Sequence, residues 1–450
     1  MNRTELNRKR LIEDPIGKTL FRLALPMIFG ILSMVIFNLA DTFFVGKLGK
    51  EQLAALSFTF PVVLFIGSLA QGVGMGTSAV ISRAIGGKDY DKVHRLVFDS
   101  LTLGILIVGI GVAIGLLTIE PLFQLLGAEG IILDYIEEYM GIWYIGMIFV
   151  VVPMVGNNII RATGDSKTPG MVMVIGAAAN LILDPMFIFG FGPIPALGIR
   201  GAAVATVIGR GIIFGVSMYV LIFREKLLTF TIPRISEIWE SWREILYIAV
   251  PNALTKMIIP LGNSFITRLI SSYGAAAVAG YGVATRVEFF SLAALNALSS
   301  VIGPFIGQNL GAGRLERVKS SFTVSGHFSL YVGGGLFILY ILLADSIAAL
   351  FNADPQVVAT TALYLRIVSF TYAAQGFYLV VTSGLNVLKK PVHAAGLSLL
   401  EMFGLSVPLA LLGSYLFDSA GIFSAIGFSY AATGLASLLV LRKVLNKYSG

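Results

Sequence analysis

Twelve apolar stretches, each long enough to cross a bilayer, follow one another along this chain and limit its folding more tightly than any other feature. They run at 18–44, 53–82, 93–118, 133–160, 169–191 and 198–223, then, after a polar link at 224–243, at 245–270, 275–306, 318–343, 357–388, 393–417 and 422–441. About 20 apolar residues span the hydrocarbon core as a helix, and a helix pairs every backbone N–H and C=O within its own segment. With 56% hydrophobic and only 13% charged residues, against about 25% charged in soluble domains, an all-α integral membrane protein of twelve transmembrane helices is predicted.

The charges say which way it faces. The chain carries a formal net charge of +7, and its basic residues gather in the N-terminal tail (Arg3, Arg8, Lys9, Arg10 and Lys18) and in every second loop. Arg83, Lys88, Lys92 and Arg95 form one such group, Arg161 and Lys167 the next, then Arg224, Lys226, Arg234 and Arg243, then Arg314, Arg317 and Lys319, then Lys389 and Lys390, and last Arg442, Lys443 and Lys447. The alternate loops hold Glu120, Glu129, Asp134, Asp345, Asp354 and Asp418. Basic residues in short loops stay on the cytoplasmic side, so both termini are expected in the cytoplasm and the protein in the inner (plasma) membrane. That placement accounts for the positive charge without nucleic acid. No small-residue cleavage site follows the basic leader, which reads as a retained tail. The absence of cysteine excludes disulfides, thiolate metal sites and cysteine nucleophiles.

An internal repeat divides the chain. Ala24-Leu25-Pro26 recurs as Ala249-Val250-Pro251, Gly49 as Gly274 and Ala54 as Ala279, and the stretch 83–93 aligns without a gap on 308–318. Further on, Lys167-Thr-Pro169 faces Lys389-Lys-Pro391, and Gly198-Ile-Arg-Gly201 faces Gly421-Ile-Phe-Ser424. Two pseudo-symmetric six-helix lobes follow, an N-lobe at 1–225 and a C-lobe at 244–450, joined by a cytoplasmic linker at 226–243. Parallel six-helix repeats that rock against each other are a recurrent transporter plan. Gly17-Lys18-Thr19 mimics the end of a phosphate loop, but Ile12 stands where its first glycine belongs. With no room for a nucleotide-binding domain in the short loops, an ion gradient is the expected energy source. The glycines of Gly72-Val-Gly-Met-Gly76 are assigned to helix packing. No His-Glu-x-x-His motif and no nucleophile elbow is present, so an enzyme is not expected.

Carboxylates inside a membrane are costly and mark function. Asp41 lies near the outer end of helix one and Asp184 in the outer half of helix five. At about 1.5 Å per residue, Asp184 sits roughly 22 Å in from the cytoplasmic side, and Tyr139 and Thr206 come to similar depth on helices four and six. Asn180 lies one turn from Asp184, and Asn38 is similarly placed against Asp41. Oxygen ligands of this kind suit a hard cation or a proton, so Asp41, Asn180, Asp184 and Thr206 form the expected ion site, with Tyr139, Asn38 and Asn157 lining its network or the substrate space. Two plainer roles stay open: an Asp near a helix end reaches solvent, and Asp184 precedes Pro185, which breaks a helix hydrogen bond. At the matching positions of the second half stand Ile266 and Ser406, so the acid pair belongs to the first half alone. There the candidates are Glu288, Lys256 and Glu401, with Lys256 and Glu288 placed to neutralise each other. His94, His327 and His393 show no metal-ligand spacing.

Pro26 and Asp41 on helix one, Asn180-Leu-Ile-Leu-Asp184-Pro185 on helix five and Gly307-Gln-Asn-Leu-Gly311 after helix eight resemble the multidrug and toxic compound extrusion (MATE) transporters, over nearly the whole chain and closest to their DinF-like prokaryotic branch. The resemblance implies a monomeric antiporter without a cofactor, exchanging small organic cations or drugs for H⁺ or Na⁺. It places the ion at Asp41, Asn180, Asp184 and Thr206, draws Tyr139 into the network and makes Pro26 the bend of helix one. The loop from Arg161 to Pro169 departs from symmetry, because its counterpart Asn386-Val-Leu-Lys-Lys-Pro391 has lost its acid. The alternative is a flippase for a lipid-linked precursor, which shares the duplicated plan but calls for a cationic cavity.

Overall fold

Helices start and stop where the sequence supplies the local chemistry. Asp89 accepts a hydrogen bond from the Lys92 N–H and opens one helix, while Asp354 accepts from the Gln356 N–H with Pro355 in the first turn of another. Both arrangements fill donors that a helix N-terminus leaves unpaired. In the computed structural model, residues 3–229 and 234–448 are described, and part of the expected linker, 230–233, lies outside the described residues. The helices are α1 (Arg3–Glu13), α2 (Ile16–Gly46), α3 (Lys50–Gly86), α4 (Tyr90–Leu125), α5 (Ile131–Ile145), α6 (Ile148–Ala162), α7 (Lys167–Phe189) and α8 (Ile199–Tyr219), which ends in a π turn (Val220–Arg224). They continue with α9 (Ile235–Ser271), α10 (Ala275–Ser291), α11 (Ala293–Gly311), α12 (Leu315–Ala349), α13 (Pro355–Ser369), α14 (Tyr372–Val387), α15 (Pro391–Leu399), a π segment (Leu400–Ser406) and α16 (Val407–Asn446). Among the described residues there is no strand, only an isolated bridge from Phe191 to Ile194.

Eight of these helices are long and apolar enough to cross a membrane, or up to eleven if each bent pair counts as one span. The apolar segments expected at 133–160, 275–306 and 357–388 are broken, by 45° at α5–α6, 46° at α10–α11 and 60° at α13–α14. Tight turns recover part of the lost hydrogen bonding there, as Met147 N–H donates to Tyr144 O (3.1 Å) and Thr371 N–H to Val368 O (3.0 Å). The final helical stretch, Pro391–Asn446, is interrupted by non-helical backbone at Phe417 and Asp418.

The repeat extends to backbone conformation. Left-handed residues follow α3 at Lys88 (φ 62°) and α11 at Gly313 (φ 70°), and follow α6 at Gly164 (φ 88°) and α14 at Lys389 (φ 56°). The second pair keeps the register of the first, so Lys389 corresponds to Gly164 and not to Lys167. Likewise Gly198 (φ 58°, ψ −131°) matches Asp418 (φ 52°, ψ −141°), which sets Gly201 opposite Gly421 and replaces the pairing of Gly198 with Gly421. The shared reason is steric: a side chain at Gly201 would strike the Phe187 carbonyl, and one at Gly421 the Gly413 carbonyl.

Two compact units result. The first comprises Met1–Lys9 with Pro26–Ala253, the second Arg10–Leu25 with Leu254–Gly450. The first is cored by α3, α5 and α8 around Phe123, Tyr144 and Trp143, the second by Tyr364, Tyr372 and Phe423. In both, large apolar side chains such as Leu117, Leu125, Leu342 and Tyr415 point outward, while Asp99, Asn180, Asp184, Gln308 and Asn309 are buried. That pattern suits a solvent of lipid tails. In the first unit, Asp165 explains the asymmetric loop: it accepts from Thr168 N–H (3.0 Å) and Oγ1 (2.7 Å) and pairs with Arg224 and Arg3. Arg3 also pairs with buried Glu225 (3.6 Å), which accepts from Thr4 (3.1 Å).

Candidate functional site

Close packing of α7 on α8 builds the first site. Glycines permit it, since a side chain at Gly176 would collide with Ile213, and one at Gly209 would lie 3.0 Å from the Asn180 side-chain oxygen. At this seam Asp184 is 0% exposed, and Asn180 donates its amide to both carboxylate oxygens at 2.7 and 2.8 Å. Asp41, from α2, lies within electrostatic range of Asp184, and its Oδ1 is buried without a hydrogen-bond partner. Tyr139, from α5, faces Thr206 on α8 with both acids in range. Four helices of one unit thus bring Asp41, Tyr139, Asn180, Asp184 and Thr206 together. The set offers two carboxylates, an amide and two hydroxyls.

Other expected members stand apart. The Asn38 side chain is exposed, and its carbonyl takes the Thr42 hydroxyl at 2.9 Å. Asn157 accepts from Ser217 at 3.2 Å on another stretch of α8. Pro26 lies inside α2, which stays one continuous helix, and its carbonyl packs against Gly170 of α7. One residue was not anticipated. Arg210, one turn beyond Thr206, holds its guanidinium 5.6 Å from the Phe37 ring centre and in range of Tyr139, so the charges of this unit are not purely anionic. The signal was an Arg deep inside the apolar segment 198–223, where Arg200 stands only at the edge.

In the second unit, Glu288 of α10 is buried and accepts the Tyr364 hydroxyl at 2.6 Å. The expected ion pair with Lys256 is not formed: Lys256 is exposed on α9, and a phenol takes its place at the carboxylate. Glu401 lies in the π segment and receives the Gln375 amide at 3.4 Å.

A family model described as MatE matches residues 26–186 and 251–412, one match in each half and most of the chain between them. The chain belongs to the MATE family of transporters. Among MATE relatives it is 38% identical over 438 residues to a protein of Shewanella oneidensis named FAD transporter, with 97% of each chain covered. It is 28% identical to the probable multidrug resistance protein YpnP of Bacillus subtilis, with 94% of each covered. A crystal structure of a mutant of the Vibrio cholerae MATE transporter VcmN superimposes with a TM-score of 0.91 at 31% identity, over 96% of this chain and 97% of that one.

Proposed function

We propose that this MATE transporter is an ion-driven exporter of amphipathic organic molecules, working by alternating access in the plasma membrane. Counting each bent pair once and dividing Pro391–Asn446 at its break gives twelve spans, six on each side of the linker, and the basic loops orient both termini to the cytoplasm. The observation that carries the reading is the convergence of Asp41 and Asp184 with Asn180, Thr206 and Tyr139, contributed by four helices of one unit. Two acids at one membrane-buried point exchange H⁺ or Na⁺ for cargo, because a cation relieves their mutual repulsion. The available drive suffices: one charge gains about 2.3 kcal/mol from 100 mV and about 1.4 kcal/mol from one pH unit, while a tenfold bias between two states needs about 1.4 kcal/mol. In proteoliposomes, ethidium should move under an imposed pH gradient or an imposed Na⁺ gradient, each applied alone. Movement under neither ends the proposal.

Arg210 favours a second reading of the cargo. A guanidinium beside the acid site recognises phosphate as a bidentate donor, and Phe37 beneath it offers a face for a flat ring. The relative named FAD transporter makes a flavin nucleotide the candidate. Uptake of FAD into inverted vesicles, competed by ethidium, separates the two, and loss of FAD uptake in Arg210→Gln with ethidium transport retained would favour the flavin.

A further inference from the structure

Lys256 stands near the middle of the membrane with nothing to neutralise it. In the span at 245–270 it lies about 17 Å from the cytoplasmic edge, in a hydrocarbon core of about 30 Å. Glu288 takes the Tyr364 hydroxyl, and among the described residues no acid pairs with Lys256 or lies in electrostatic range of it. A charged side chain at this depth faces the bundle interior or a water-filled cavity, because lipid tails exact a high cost from it. Lys256 is exposed and not packed in the bundle, which leaves the water-filled path.

The rest of α9 agrees. Leu254, Leu261 and Phe265 are exposed apolar residues, and at 3.6 residues per turn they share an arc about 40° wide, which suits lipid. Lys256, Asn263 and Thr267 share a second arc of about the same width, centred about 160° away. The repeat gives this arc a precedent in the first unit. Asn263 and Thr267 match Asn38 and Thr42 of α2, and in each pair the threonine hydroxyl donates to the asparagine carbonyl at 2.9 Å. Both asparagines are exposed. To this shared pattern α2 adds Asp41, where α9 has Ile266, and α9 adds Lys256, where α2 has Ile31. One helix thus brings an acid and its counterpart a base. An ammonium on a flexible stem binds phosphate as a point charge, and Asn263, about 10 Å further along the same arc, offers a donor and an acceptor to a neutral part of the molecule. Because the lipid-facing arc lies on the opposite side of α9, the ligand that meets Lys256 is dissolved in the path and is not a lipid of the surrounding bilayer.

We propose that Lys256 is a specificity-determining residue of the cargo path and binds the phosphate of a soluble organic phosphate. The proposal rests on the phosphate-bearing cargo that Arg210 favours, and adds to it a contact in the second unit. The probes are riboflavin and riboflavin 5′-phosphate, which share a ring and differ in the phosphate, titrated into the purified full chain and followed by quenching of flavin fluorescence. The native protein should prefer the phosphate form. Lys256→Gln should reduce the ratio of the two affinities by roughly tenfold, the worth of one hydrogen bond to a charged group, and Lys256→Arg, which keeps the charge, should retain most of it. A ratio unchanged in Lys256→Gln, or lost equally in Lys256→Arg, overturns the proposal. Arg210→Gln tests the parent reading separately: a ratio that falls there but not in Lys256→Gln keeps the phosphate cargo and removes Lys256 from its recognition. Equal binding of the two flavins by the native protein, or binding of neither, ends both. Displacement of riboflavin 5′-phosphate by dodecyl phosphate at lower concentration than by phenyl phosphate would assign the site to lipid and overturn the proposal as well. Ethidium movement in proteoliposomes, which tests the exporter, is measured without flavin and stands or falls on its own.

Discussion

At Asp184 a single amide supplies both hydrogen bonds that the buried carboxylate receives. An ionised carboxylate has about four acceptor positions to fill, so two remain open at Asp184, with Asp41 and Tyr139 in electrostatic range, and the proposed coupling ion is the partner that would fill them. Asp41→Asn or Asp184→Asn should therefore abolish ethidium efflux, by at least roughly tenfold, with the protein still monodisperse in detergent. Glu401→Gln should be milder, because Glu401 rests against Gln375 and outside the acid pair. Normal efflux by both Asp variants would remove the ion site. These residues were legible in the sequence because acids and amides are scarce inside apolar segments. Arg210 carried the same signal, as a base and not an acid inside its apolar segment. The partner of Glu288 was less legible: a phenol at a distance of 76 residues carries no local pattern, and only the constant repeat register links Tyr364 to Tyr139.

At the scale of helices, glycine placement and one proline set what can move. Along α8, a side chain at Gly201 would strike the backbone of α7, whereas one at Gly211 meets nothing within 4 Å. Backbone cannot rotate aside, so Gly201→Val should lower the unfolding temperature in detergent, at a cost of about 1–3 kcal/mol, and Gly211→Val should leave it nearly unchanged. Equal melting of the two would show that the α7–α8 seam is not tight. In α2, Pro26 has no N–H and leaves the carbonyl one turn earlier without its helical donor, yet the helix runs on through it. The sequence located this weak point but not its geometry, since proline lowers the cost of bending without requiring a bend. With the Pro26 carbonyl against Gly170, bending moves α2 along the start of the helix that carries Asp184. Pro26→Ala is predicted to keep ²²Na⁺ or proton binding while losing most efflux. Full turnover in that variant would separate helix bending from transport.

Across the whole molecule, hydropathy gave the order of the spans, because lipid demands length and apolarity above all else, and it could not give the breaks. Those at Gly146, Leu292 and Phe370 depend on tertiary packing, as where Val207 fills the space a side chain at Gly146 would occupy. Orientation rests on a different physical rule, the retention of Lys and Arg in short loops, and the chain allows a direct test. It contains no cysteine, so each introduced thiol reports alone. Lys167, Lys447, Glu129 and Gln356 are all exposed at helix ends or in loops, so cysteines there leave the buried networks intact. The first two follow basic stretches; Glu129 lies in the acidic loop after α4, and Gln356 in the first turn of α13, just past the acidic loop after α12. A membrane-impermeant maleimide applied to intact cells should label Glu129→Cys and Gln356→Cys, and should label Lys167→Cys and Lys447→Cys only after permeabilisation. Because α4 and α12 occupy matching places in the repeat, two parallel lobes require Glu129 and Gln356 to behave alike. Labelling of one without the other would make the repeats inverted and would end the parallel six-plus-six arrangement, whatever the fate of the acid site.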